Sequence, residues 1–255
     1  MKARAAGLSD VGRCRKVNQD QFLLDSLIGL YAIADGMGGH AAGEVASDLA
    51  INALAGSLRN HKETGGGPWT PERAAELLRE ALNDGNRKIC ESVVNRVEWR
   101  GMGTTMVALV LAGETAVIGH VGDSRAYLLR DGELRQLTSD HSWVNEQVKL
   151  GLLTPEQAYR HPMRNIVTRA LGNQPAVEVD VILEAVRSDD IFALCSDGLS
   201  GMVSDEEIAE ILNKHGDVPR DACLKLVDQA NTHGGEDNVT VIVLASETCT
   251  VGSSS

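Results

Sequence analysis

Residues 31–40 read YAIADGMGGH, and in this stretch a predicted strand meets a glycine-rich turn. The apolar run that begins at Tyr31 ends at the carboxylate of Asp35, and Gly36 follows directly. Because glycine has no Cβ, the Gly36 carbonyl can approach an ion as closely as the Asp35 carboxylate does. Glycine turns after strands are common, so the stretch indicates a metal site only if other acids end apolar runs in the same way.

Other aspartates do share this setting. Asp123 and Asp197 each end an apolar run beside a glycine, Asp237 precedes one, and Asp20 lies in a polar loop before a strand. Aspartate is a common turn residue, which explains any one of these positions without a metal. Asp35, Asp197 and Asp237 taken together instead favour a set of oxygen ligands for a hard divalent cation such as Mg²⁺ or Mn²⁺.

Metal-assisted hydrolysis of a phosphoester is the chemistry that such a set would serve. Two cations that share a carboxylate can activate a water molecule and neutralise the phosphate oxygens. An arginine fork is suited to hold the phosphate, and both Arg13 and Arg15 lie in the loop that carries Asp20. His40 is placed to protonate the leaving oxygen, although a solvent-facing histidine at a helix start explains it equally well.

The hydrophobic pattern predicts helices and strands in separate blocks, which favours an α+β fold. Strands are predicted over 3–12, 22–24, 27–34, 177–183, 190–195 and 238–245, with an antiparallel meander over 104–137. Long helices are predicted over 41–58, 70–96, 199–214 and 220–232, a loop over 61–69, and shorter helices at 142–150, from 154, and at 165–171. About ten strands and four long helices fit two stacked sheets with helix pairs outside.

Neither an internal repeat nor a linker divides the chain. We therefore predict a single domain over residues 1–248, with 138–172 as a subdomain and a frayed tail at 249–255.

Composition excludes several function classes. The 255 residues carry 36 acids and 24 bases, a net charge of −12, and only 3% are aromatic, so a nucleic-acid partner is not expected. The five cysteines are scattered without a CxxC pair, which argues against a zinc site or a disulfide framework. No apolar run has the length of a membrane span or a signal peptide, so we expect a cytoplasmic protein without a membrane partner.

As a set, the motifs resemble the metal-dependent type 2C Ser/Thr protein phosphatases (PPM) in their compact bacterial form. The resemblance covers about residues 6–245, and the motifs follow the family's order: RKVNQD at 15–20, DGMGGH at 35–40, GTT at 103–105, GHVGDSR at 119–125, DHS at 140–142, SDGL at 196–199 and DNVT at 237–240.

The resemblance implies a four-layer α-β-β-α sandwich of two antiparallel sheets flanked by helix pairs, with a flap at about 138–172. It implies hydrolysis of phosphoserine and phosphothreonine on proteins by a metal-bridging hydroxide, with a bacterial Ser/Thr kinase as the opposing enzyme. The phosphoserine of a partner-switching regulator or a small phosphoester is an alternative substrate. We expect a monomer.

The resemblance also implies the metal ligands. Asp35 would bridge two Mn²⁺ or Mg²⁺ ions, with the Gly36 carbonyl on one ion and Asp197 and Asp237 on the other. Asp123, together with Asp197, would hold a third, weaker ion.

Further residues would serve catalysis and substrate binding. Asp20 would hold metal-bound water, Arg15 would bind the substrate phosphate, and His40 would be the general acid. Met163 and Arg164 of the flap would contact the substrate.

One position departs from the family pattern. Gln19 stands where the family usually has glutamate, and an amide contributes no charge. This departure is the only support for an alternative in which the chain binds phosphoproteins with little turnover. Every acid assigned to direct ligation is present, which favours an active enzyme.

Overall fold

Two antiparallel sheets stack face to face at the centre of the computed structural model, which describes residues 2–38, 42–65, 67–94 and 96–247. The strands are β1 Lys2–Asp10, β2 Asp20–Asp25, β3 Leu30–Met37, β4 Gly103–Thr104, β5 Met106–Ala112, β6 Thr115–Val121, β7 Arg125–Arg130, β8 Glu133–Gln136, β9 Asp180–Ala185, β10 Ile191–Cys195 and β11 Val239–Glu247. The first sheet has the order β1-β11-β10-β7-β8, and the second has β2-β3-β5-β6-β9 with β4 beside β3.

Helices cover the outer face of each sheet. The α-helices of the described chain are α1 Ala42–Glu63, α2 Pro71–Val94, α3 Trp143–Lys149, α4 Pro155–Tyr159, α5 Asp197–Ser200, α6 Asp205–His215 and α7 Pro219–Thr232. The long helices α1 and α2 pack on the second sheet, and α6 and α7 pack on the first. Small residues such as Ala50 and Gly85 let α1 and α2 approach closely.

The side-chain alternation of the strands builds three apolar layers. In β3, Tyr31 and Ile33 face the other sheet, whereas Ala32 and Ala34 face the helices. In β10 of the first sheet, Phe192 and the other inward-facing residues face the second sheet. Because a strand has a side-chain period of two, one buried strand supplies both a sheet–sheet layer and a sheet–helix layer. The predicted α+β fold with an α-β-β-α sandwich is confirmed.

The predicted meander is divided between the two sheets. β5 and β6 pair within the second sheet, and β7 and β8 pair within the first. The chain changes sheets at Gly122–Ser124, between β6 and β7. Short strands joined by tight turns predict pairing with the next strand, but a change of sheet at one turn leaves no mark in the hydrophobic pattern.

Three helix predictions need correction. The helix predicted over 199–214 is divided into α5 and α6, because Ser204 begins α6 with a capping box to Glu207. The helix predicted at 165–171 does not form, and bridges at Val167 and Leu171 hold this segment to neighbouring strands and loops instead. The loop predicted at 61–69 begins later, since α1 continues to Glu63.

The remaining predictions on chain organisation stand as predictions. We retain a single domain over 1–248 as a prediction, and the tail 249–255 lies outside the described residues. Among the described helices, none combines the length and the apolar character that crossing a membrane requires.

An ion-pair network joins the two sheets at one end. Arg130 of β7 donates to both carboxylate oxygens of Asp190, at 2.8 and 2.7 Å, and to Glu184 of β9 at 3.0 Å. Asp190 is only 1% exposed. Because a buried carboxylate without its partner is costly, we expect Arg130→Ala to lower the free energy of unfolding by about 3 kcal/mol.

Urea denaturation monitored by circular dichroism measures this effect. Arg135→Ala is the matched control, since Arg135 also pairs with Glu184 but its side chain is 57% exposed. The control should lose less than about 1 kcal/mol. Equal losses in the two variants would contradict the assigned role of Arg130.

Candidate active site

The predicted acids meet at one end of the sandwich. Asp20 and Asp35 are cross-strand partners in the β2–β3 ladder. Asp123 follows β6, Asp197 follows β10 and Asp237 precedes β11. β10 and β11 are antiparallel neighbours, so the end of one strand lies beside the start of the other. Strand pairing therefore brings together aspartates that are far apart in the sequence.

A cleft of about 700 Å³ opens at this end of the molecule. Its lining includes Arg15, Asp123, Asp197 and Asp237, together with Arg164 of the predicted flap. The cleft thus combines carboxylates with arginines, as a site for metal ions and a phosphate requires.

Burial and mutual repulsion raise the pKa of the clustered carboxyls. The pKa of Asp35 lies well above its usual value, first because of burial and then because of the charges on Asp20, Asp197 and Asp123. Burial and Asp197 likewise raise the pKa of Asp123, and burial and Asp237 raise that of Asp197. Asp35 and Asp197 therefore lie close enough for each carboxyl to change the pKa of the other.

This charge pattern fits divalent cations. Carboxylates that raise one another's pKa have more negative charge than their surroundings neutralise, and a cation that prefers oxygen ligands would supply the missing positive charge. The donor atoms are hard oxygens, which suit Mg²⁺ or Mn²⁺ better than a softer transition metal.

Asp20 differs from the other acids because hydroxyl groups hold it. It is 5% exposed, and its Oδ2 accepts hydrogen bonds from Ser196 and Thr240 at 2.8 and 2.6 Å. Burial raises the pKa of Asp20 to about 7, and these two hydrogen bonds limit the rise.

Gly36 occupies a position that only glycine can fill. A Cβ on this residue would lie 2.1 Å from the carbonyl oxygen of Gly43 and 2.6 Å from that of Gln19. The Gly36 amide donates to the same Gln19 oxygen. The side-chain amide of Gln19 lies against Gly43 at the start of α1. Gln19, the residue that departs from the family pattern, therefore packs against Gly36 at the end of β3 and against Gly43 at the start of α1.

Gly198 allows the second half of the cluster to assemble. A Cβ on Gly198 would lie 1.9 Å from the carbonyl oxygen of Asn238. Without a side chain at this position, the Asp197 turn approaches the backbone beside Asp237. The glycine after Asp197 is thus a packing requirement of the site.

Asn238 fixes the loop that carries Arg15, a role that is not predicted from the sequence. Its Nδ2 donates to the carbonyl oxygens of Val11 and Val17 at 3.0 Å, and its Oδ1 accepts from the Gln19 amide at 2.8 Å. Asn238 is 5% exposed, so these bonds are shielded from water. An asparagine directly after a predicted ligand was the available signal.

Arg15 reaches the acid cluster from this loop. Its Nη2 donates to Asp237 Oδ2 at 2.7 Å, and this bond raises the pKa of the guanidinium. The Arg15 side chain is 54% exposed, so it is accessible from the cleft. Arg13, the other arginine of the loop, uses its backbone amide to bind the Gly235 carbonyl at 2.7 Å.

The remaining predicted residues are less closely joined to the cluster. Arg164 lines the cleft and pairs with Glu236 at 3.4 Å. Met163 is 38% exposed on the same segment and is not among the residues that line the cleft. The candidate acid His40 lies outside the described residues.

One histidine of a cluster beside Asp123 is held by hydrogen bonds. His120, His141 and Asp180 place one possible ligand atom each within 4.8 Å of one another. His141 Nδ1 accepts the Gly122 amide at 3.0 Å, so a neutral ring carries its proton on Nε2, 3.2 Å from Asp180. Neither nitrogen of a neutral His141 ring then has a lone pair free for a metal, and His141 is better explained as an anchor for the Gly122 turn.

Comparisons with known proteins agree with this arrangement. The family model described as "Protein phosphatase 2C" matches residues 13–224. The serine/threonine phosphatase stp of Listeria monocytogenes is 39% identical over 239 residues, which cover 92% of this chain and 93% of that protein.

Solved structures show the same likeness. The crystal structure of the Mycobacterium tuberculosis serine/threonine phosphatase PstP/Ppp superposes with a TM-score of 0.87 at 42% identity, covering 97% of this chain and 100% of that one. A structure of the PstP catalytic domain in complex with 2 manganese ions has a TM-score of 0.84 at 40% identity, covering 96% and 99%.

The fold, the acid cluster and these relatives place the chain in the protein phosphatase 2C family. It is a metal-dependent serine/threonine protein phosphatase.

The Asn238 contacts lead to a test of the Arg15 loop. Asn238→Ala removes three hydrogen bonds and leaves the Val11 and Val17 carbonyls and the Gln19 amide without this partner. We expect kcat/KM for a phosphothreonine peptide to fall about tenfold or more, with about 2 kcal/mol lost from the free energy of unfolding.

Steady-state kinetics and urea denaturation measure the two effects. Asn213→Ala is the control, because Asn213 also donates to backbone carbonyls but is exposed on α6, away from the cleft. A wild-type kcat/KM in Asn238→Ala would show that the loop does not depend on this side chain.

Proposed function

We propose that this phosphatase binds two divalent cations, Mn²⁺ or Mg²⁺, at the cluster of Asp35, Asp197 and Asp237, with the Gly36 carbonyl as a further ligand. Asp35 would bridge the two ions. A third, weaker ion would bind between Asp123 and Asp197. When bound, the cations would supply an activated water and neutralise the phosphate oxygens.

The observation that carries this proposal is that Asp123, Asp197 and Asp237 line one cleft together with Arg15, at the end of the sandwich where Asp20 and Asp35 pair across the β2–β3 ladder. Asp35 of one sheet and Asp197, which follows a strand of the other, change each other's pKa, and they lie next to further acids whose pKa values are also raised. Structural carboxylates avoid such repulsion, so the arrangement is better explained by positive charge that binds between them.

The chain's own side chains would hold and orient the substrate. Arg15 would turn from Asp237 toward the substrate phosphate, for which its planar fork is suited. Arg164 reaches the same cleft and would contact residues that flank the phosphorylated side chain, together with Met163. His40 would protonate the leaving serine or threonine oxygen.

Phosphoserine and phosphothreonine of proteins are the proposed substrates. The open cleft admits a side chain that projects from a polypeptide, which supports a protein substrate over a small phosphoester. By analogy with the protein phosphatase 2C family, a bacterial Ser/Thr kinase would be the opposing enzyme in the cytoplasm, and the phosphatase would act as a monomer.

Asp35→Asn tests the bridging role. The amide removes one negative charge from the cluster, so Mn²⁺ binding and turnover should both fall by at least about 100-fold. Isothermal titration with Mn²⁺ and hydrolysis of a phosphothreonine peptide, with and without chelator, measure the two effects.

Asp48→Asn is the control, because Asp48 is exposed on α1. Full activity of the wild-type protein in chelator would refute metal-dependent hydrolysis. Absence of both Mn²⁺ uptake and turnover in the wild type would favour the phosphoprotein-binding alternative.

Arg15→Ala tests the phosphate contact. Loss of a charged hydrogen-bonding fork should raise KM for a phosphopeptide about 10- to 100-fold, while Mn²⁺ affinity changes less than about threefold. Arg13→Ala is the matched control in the same loop, because Arg13 binds the Gly235 carbonyl through its backbone amide, which the substitution keeps. An unchanged KM in Arg15→Ala would assign phosphate binding to another residue.

A further inference from the structure

The two carboxylate oxygens of Asp20 have different surroundings. Oδ2 accepts from the hydroxyls of Ser196 and Thr240, at 2.8 and 2.6 Å. Oδ1 is buried and has no hydrogen-bond partner among the described parts of the chain. Asp20 is also the cross-strand partner of Asp35. The carboxylate is therefore held at one oxygen beside the predicted bridging ligand.

The hydroxyl of Thr240 belongs to a hydrogen-bond chain whose direction is fixed at its far end. Asn18 Oδ1 accepts the Asp20 amide at 3.1 Å, so the Asn18 Nδ2 must be the atom that lies 2.7 Å from Ser9 Oγ. Nδ2 can only donate. Ser9 Oγ therefore accepts from Asn18.

The same reasoning orders the rest of the chain. Ser9 Oγ lies 2.7 Å from Thr240 Oγ1, and each hydroxyl has a single proton. If the Asp20 carboxylate accepts at Oδ2, Thr240 donates its only hydroxyl proton there. Thr240 Oγ1 must then accept from Ser9, so Ser9 is the donor in that bond. The bonds then run in one direction, from Asn18 through Ser9 and Thr240 to Asp20, and each hydroxyl proton has an acceptor.

A second arm reaches the same oxygen. The Thr240 backbone amide donates to Ser196 Oγ at 3.0 Å, which leaves the Ser196 proton for Asp20 Oδ2. Both arms thus deliver a donor to Oδ2. The two hydroxyls that contact Asp20 are shielded from water, since Thr240 and Ser196 are 0% exposed. Hydrogen bonds that point in one direction along a chain strengthen one another.

We propose that Ser196 and Thr240, supported by Ser9 and Asn18, are positioning residues for the metal reaction. They hold Asp20 as an acceptor at Oδ2 and so leave Oδ1 as its only oxygen available to the metal cluster. This inference rests on the proposed function. It extends that function to four polar residues at the ends of β1, β2, β10 and β11. The proposed metal ligands by themselves do not explain why these residues are polar.

The test compares variants that change the chain at different distances from Asp20. Thr240→Val removes the hydroxyl and keeps the shape of the side chain, whereas Thr240→Ser keeps the hydroxyl. Ser9→Ala breaks the chain at a residue that does not contact Asp20. The measurements are Mn²⁺ affinity by titration calorimetry, kcat and KM for a phosphothreonine peptide, and the melting temperature of the metal-free protein.

We expect Thr240→Val to weaken Mn²⁺ binding about 10- to 100-fold, as loss of a residue that orients a metal site does, and to lower kcat more than it changes KM. Ser9→Ala should weaken Mn²⁺ binding about threefold, because Thr240 still donates but is no longer polarised. Thr240→Ser should stay within about twofold of the wild type.

Ser246→Ala is the matched control in the same strand. Its hydroxyl donates to the carbonyl oxygens of Arg187 and Asp190, so the variant should lose stability and keep its Mn²⁺ affinity. Wild-type Mn²⁺ affinity in both Thr240→Val and Ser9→Ala would overturn the proposal. A loss in Thr240→Ser as large as that in Thr240→Val would also overturn it, because the hydroxyl would then not be the cause.

Failure of the proposed function has a different signature. If the wild-type protein neither takes up Mn²⁺ nor hydrolyses the peptide, the metal site itself is wrong. If the wild type does both and the Thr240 and Ser9 variants match it, only the positioning role is wrong. Should Thr240→Val not fold, Ser9→Ala carries the test, since it leaves every residue around Asp20 in place.

Discussion

Repulsion among buried carboxylates is the constraint that the functional end of this molecule must satisfy. Asp20, Asp35, Asp123 and Asp197 all have pKa values above their usual range, because burial and like charges oppose ionisation. The cost of assembling them has to come from the rest of the fold. The apolar layers within and outside the two sheets supply that stabilisation.

The backbone of the sandwich also fixes where the acids meet. The β2–β3 ladder sets Asp20 opposite Asp35, and the β10–β11 ladder places Asp197 beside the turn of Asp237. The connections between strands can then serve the site because rigid strands fix their ends. Asn238 shows this most directly, since one side chain joins the start of β11 to the loop that carries Arg15.

Several parts of this organisation could be predicted from the sequence, and others could not. An acid between an apolar run and a glycine identified Asp35 and Asp197, because ligands on strand ends leave a local pattern. Asn238 and Thr240 belong to the motif at 237–240, but their hydrogen bonds could not be predicted from it. Their partners Val17 and Asp20 are more than 200 residues away in the chain. Local patterns do not contain such partners.

By itself, the sequence determined the two-sheet α+β fold, the set of candidate ligands and the kind of chemistry. Each of these depends on composition, period or local spacing, which the chain carries residue by residue. Only the tertiary structure decided that the meander divides between two sheets, that Oδ2 of Asp20 is the oxygen held by hydroxyls, and that Asn238 fixes the Arg15 loop. These features depend on which strands become neighbours and on the direction of individual hydrogen bonds. Both are properties of the packed molecule, because distant segments acquire their partners only when the two sheets assemble.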